Sequence, residues 1–79
     1  MNQYLESLKN FEEDSEWFHQ NIDKLQESFS GQFIAIKNKK TIAADKKIDV
    51  VIEAVEKQKE NPSLIFIEFV YPKGYMLLL

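Results

Sequence analysis

The only glycines and prolines in this chain are Gly31, Pro62, Pro72 and Gly74, and their positions limit its fold more than any other feature. Residues 1–30 run without either breaker, and apolar side chains recur there at Tyr4, Leu8, Phe11, Phe18, Ile22, Leu25 and Phe29. That three-and-four spacing is helical, because 3.6 residues per turn bring such positions onto one face. The stripe is interrupted at Ser15, where Asp14 or Ser15 is placed to cap a fresh helix. The segment predicts either one long helix or a short one leading into a main helix over about 15–29.

Gly31 stops the helix. "QFIAIK" and "KTIAA" then read as two strands joined by Asn38 and Lys39. A two-residue hairpin loop needs positive φ, which asparagine tolerates, while Lys39 sits where glycine is favoured. In that register Ala35 faces Ile42 and Ile36 faces Thr41. A second helix follows from an N-cap at Asp45, with Ile48, Val51, Ile52 and Val55 on one face. Pro62 ends it near Glu60 by biasing Asn61 away from the α region. "LIFIEFVY" is a strand by β-branched and aromatic content, "YPKG" a turn with Gly74 left-handed, and "YMLLL" a returning strand.

The order is therefore α-β-β-α-β-β. It describes an α+β domain with a small, mostly antiparallel sheet of about four strands packed with two helices, and a right-handed crossover through the second helix. Residues 1–79 read as a single domain. A chain this short buries only roughly 60% of its unfolded surface. Without cysteine it has no disulfide or thiolate zinc site, so the apolar residues carry the fold, helped by any oligomerisation.

In the last hairpin Phe69 is expected opposite Met76 and Ile67 opposite Leu78. On the other face Val70 meets Tyr75, Glu68 meets Leu77 and Phe66 meets Leu79. If both helices cover the first face, Phe66, Val70, Tyr75, Leu77 and Leu79 form a partner interface for a homodimer or another protein. If the helices lie on opposite faces, both sets are core. An exposed apolar strip of several hundred Å2 usually marks an interaction surface.

Reactive chemistry has little support. His19, the sole histidine, stands at i+4 from Ser15 and i−4 from Asp23, but one helix cannot aim a triad at a common reacting atom. Glu12, Glu13, Asp14 and Glu16 read as a solvated helix start, because consecutive helical residues point in different directions. No catalytic residue, metal site or cofactor is expected, and two isolated glycines make no phosphate loop. The expectation is a non-enzyme.

All ten basic residues are lysine. Lys37, Lys39, Lys40, Lys46 and Lys47 cluster in sequence and are the candidates for phosphate contact, although arginine, the usual bidentate reader of guanine, is absent. The start has no basic, apolar leader, and no apolar run reaches the roughly 20 residues of a membrane helix, so a cytoplasmic protein with no membrane contact is expected.

Trp17 in an acidic helix, "GQFIAIKNKKTIAA", "IDVVIEAVEK" and "IFIEFV" together resemble a family of short uncharacterised prokaryotic proteins, many archaeal, known only as a domain of unknown function. The resemblance covers about residues 15–71 and implies no catalytic residues. The leading expectation is a protein-interaction module, a homodimer or accessory subunit. The alternative is an antitoxin-like regulator that touches nucleic acid through the lysine hairpin.

Overall fold

A computed structural model describes residues 3–74. Their elements are α1 (Gln3–Gln20), α2 (Ile22–Phe29), β1 (Gln32–Lys37), β2 (Lys40–Asp45), α3 (Ile48–Lys57), a 3-10 turn (Pro62–Leu64) and β3 (Phe66–Val70). The α+β class is as expected, but the described sheet has three strands in the order β2-β1-β3 and the helices number three. The expected fourth strand, "YMLLL", lies outside the described residues.

The first helix breaks at Asn21 instead of Ser15. Asn21 donates both its backbone N–H, at 3.0 Å, and its side-chain amide, at 2.9 Å, to the carbonyl of Trp17, which closes α1 before α2 starts at Ile22. Asparagine competes with the helix ladder through such local bonds. Ser15 stays helical.

The hairpin loop is as expected: Asn38 and Lys39 have φ of 52° and 60°, the type I′ signature. Lys37 pairs with Lys40 and Ile36 with Thr41, but Ala35 pairs with Ala43, not Ile42. The register slips by one residue between Ala35 and Ile36, so Ile42 is the extra residue of a β-bulge. The bulge turns both Ile42 and Ala43 toward α3, where they pack on Ala35, Val51, Val55 and Ile65.

Asp45 does not cap α3. Its carboxylate takes the Lys47 N–H at 2.8 Å, a turn two residues long, and the helix begins at Ile48. At the other end α3 stops at Lys57, three residues before Glu60. Lys59 is left-handed at φ 63°, and its N–H reaches Glu56 O while Glu60 N–H reaches Val55 O. These are the two bonds of a Schellman motif, which uses up the orphan carbonyls of the last turn. Asn61 is extended, as its proline neighbour requires, and its side chain accepts the Ser63 N–H.

β2 and β3 are both antiparallel to β1, so they run parallel to each other with β1 between them and α3 as the crossover. α1 and α2 pack on one sheet face through Phe18 and Leu25 against Ile34, Ile36, Phe66 and Val70. α3 covers the other through Val51 and Val55. The helices therefore lie on opposite faces, which is why β1 is apolar on both sides. Ile34, Ile36, Val51, Val55 and Val70 are fully buried, each worth about 1.5–3 kcal/mol relative to exposure.

Candidate functional site

Of the two expected arrangements, this two-sided packing is the one in which Phe66 and Val70 are core and not interface. Phe66 and Val70 are 7% and 0% exposed and belong to the core beneath α1 and α2. Period-two alternation put them on one face correctly, but the strand alone could not say that a helix covers it. Tyr75, Leu77 and Leu79 lie outside the described residues.

A different apolar surface is exposed. The stripe that packs α1 on the sheet continues towards the helix start, past the end of the sheet. Leu5 is 61% exposed, and Leu8, Phe11 and Leu64 lie between 38% and 43%. Leu8, Phe11 and Leu64 line a shallow apolar groove of about 200 Å3 with Ser7 and Ser63. The Phe11 ring stands edge-on to Phe66 at 5.4 Å, so the exposed surface is continuous with the core.

Beside it runs the outer edge of β3, which pairs with no other strand among the described residues. The Phe69 N–H points away from β1 and is met by the carboxylate of its own neighbour, Glu68, at 3.1 Å. Gln26 donates to the Tyr71 carbonyl at 3.0 Å. Between this edge and the α1–α2 junction lies an open cleft of about 550 Å3, lined by Phe18, His19, Ile22, Gln26, Glu68 and Phe69 among others. The opposite edge, β2, is built differently: the bulged Ile42 carbonyl is taken by the Gln58 side-chain amide at 2.8 Å. A bulge and a covering side chain are two devices that block strand addition.

The five lysines do not form one patch. Lys37 is ion-paired with Glu60, which the Schellman turn delivers to β1. Lys39 and Lys40 sit at the hairpin tip, whereas Lys46 and Lys47 follow the far end of β2, about 20 Å along a six-residue strand. Asp45 and Asp49 stand among the latter pair. His19 turns its Nδ1 to the backbone carbonyl of Ser15 at 2.8 Å, a bond within one helix.

Sequence reasoning missed Asp14. Read as part of a solvated acidic run, it is only 4% exposed, and its carboxylate accepts the backbone N–H of Lys39 at 2.8 Å. The signal was its spacing: three residues after Phe11 and four before Phe18, it lies on the inward stripe. Glu12 and Glu16 are exposed as expected.

A family model matches residues 24–69, more than half of the chain. The chain belongs to that family, DUF5678, whose function is unknown. The DUF5678 match takes in most of α2, the hairpin, α3 and nearly all of β3, and it excludes α1 with Asp14 and the exposed stripe. No curated protein and no solved structure matches the chain. Among the described residues no group of histidine, cysteine or acidic side chains is arranged to hold a metal ion, and no helix is long and apolar enough to cross a membrane.

Proposed function

We propose that the chain is a non-enzymatic protein-interaction module, acting as a homodimer or as an accessory subunit, and that it docks through Leu5, Leu8 and Phe11 of α1 together with Leu64. The observation that carries this reading is the continuation of the core stripe beyond the sheet that covers its other half. Singly exposed leucines are ordinary, but a contiguous apolar surface that borders the core is not. Helix-in-groove and helix-pairing contacts use side chains at this i, i+3 spacing.

The test is gel filtration of the tagged chain in native cell extract, for wild type and Leu8→Lys. The wild type elutes above the mass of the tagged monomer, 9.3 kDa plus the tag, and Leu8→Lys elutes as a monomer and, once purified, keeps the wild-type circular dichroism spectrum. If both elute as monomers, the docking reading is wrong.

A further inference from the structure

The outer edge of β3, unpaired among the described residues, has its own chemistry. Because the Phe69 N–H faces outward, period-two alternation turns the Ile67 N–H the same way, so the edge presents a row of backbone groups to an added strand. Glu68 sits at the middle of that strand on the α1 side, between the buried Phe66 and Val70. Among the described residues Glu68 is the only carboxylate that lines the cleft, where α1 contributes Phe18 and His19. A second copy of β3 added antiparallel about its centre would set Glu68 against Glu68, and like charges directly opposite are destabilising.

We infer that the outer edge of β3 takes an extended segment of another protein by strand addition, and that this segment carries a lysine or arginine opposite Glu68 with apolar residues two positions to either side. The inference rests on the interaction-module reading and names its partner chemistry. The Glu68 carboxylate, which covers the Phe69 N–H in the free chain, swings to the incoming cation and releases that N–H to the partner's backbone. The flanking apolar side chains enter the cleft against Phe18 and Ile22. Main-chain bonds supply affinity in this mode, and alternate side chains supply specificity.

Two short alternating valine and threonine peptides, differing only in lysine or glutamate at the central position, test this by fluorescence anisotropy on the full chain. The lysine peptide binds about tenfold tighter or better, Glu68→Lys reverses the preference, and N-methylation of the peptide's alternate amides abolishes binding. Equal affinity for the two peptides, or binding that survives N-methylation, overturns the inference. So does failure of both peptides to bind, and hydrogen exchange of the outward-facing Ile67 amide, which Glu68 does not cover, then identifies the cause. Protection in the monomer means that residues 75–79 hold the edge, protection only where the mass doubles means that a second copy does, and rapid exchange means that nothing does. None of these results touches the Leu8-dependent assembly, and loss of that assembly with peptide binding intact sinks the docking reading alone.

Discussion

Asp14, buried in α1, accepts the backbone N–H of Lys39 at the tip of the β1–β2 hairpin, 25 residues further along the chain. The bond fixes the helix against the sheet at the end where α1 leaves it, and so positions the exposed stripe. Lys39 Nζ is not involved. The hairpin is held by its backbone.

Replacing Asp14 by alanine removes a charged acceptor from a buried position and is expected to cost about 2 kcal/mol. Asp14→Asn keeps an acceptor oxygen and loses less. Urea denaturation of the three proteins checks the order, and an alanine variant as stable as wild type would contradict it.

Lys39 and Lys59 both hold positive φ, at 60° and 63°. A side chain in that region costs roughly 1–2 kcal/mol per residue, which glycine avoids at the expense of some unfolded-state entropy. Lys39→Gly and Lys59→Gly are each expected to raise stability by about 0.5–1 kcal/mol. Thermal melts that fall in either variant would show that the lysine makes a contact worth more than its strain.

Half of this was legible in the sequence and half was not, for physical reasons. Asn38-Lys39 announced its turn type because asparagine tolerates positive φ, and Gly74 likewise sits at φ 86° in its turn. The bulge at Ile42 was invisible, since a run apolar on both faces has no alternation to break. The end of α3 was misplaced because a lysine fills the left-handed position that glycine normally marks. Phe66 and Val70 were assigned to the right face, but interface and core both stayed open, because the choice depends on whether the helices dock on one sheet face or on both.

The Lys37–Glu60 pair joins β1 to the turn after α3, with side chains 39% and 29% exposed. Solvent screens it, so Glu60→Gln is expected to cost less than about 1 kcal/mol. The difference from wild type should vanish in molar salt. A loss that persists at high salt would point to a packing role for the Glu60 stem.

Val70→Lys and Leu8→Lys should behave in opposite ways. The first puts a charge into a fully buried site and is expected to abolish the cooperative unfolding transition. The second leaves the transition within about 0.5 kcal/mol of wild type, as surface changes do. Equal damage from both would place Leu8 in the core.

The central claim is that α1 and Leu64 present a docking surface, and site-specific photo-crosslinking in producing cells tests it most directly. A photoreactive residue is placed at Leu8 and, as a control, at the exposed Glu53 on α3. The account predicts a discrete adduct from Leu8, of twice the monomer mass for a homodimer or of another protein's added mass for an accessory subunit, and none from Glu53. No adduct from Leu8, or the same adducts from both positions, would contradict it.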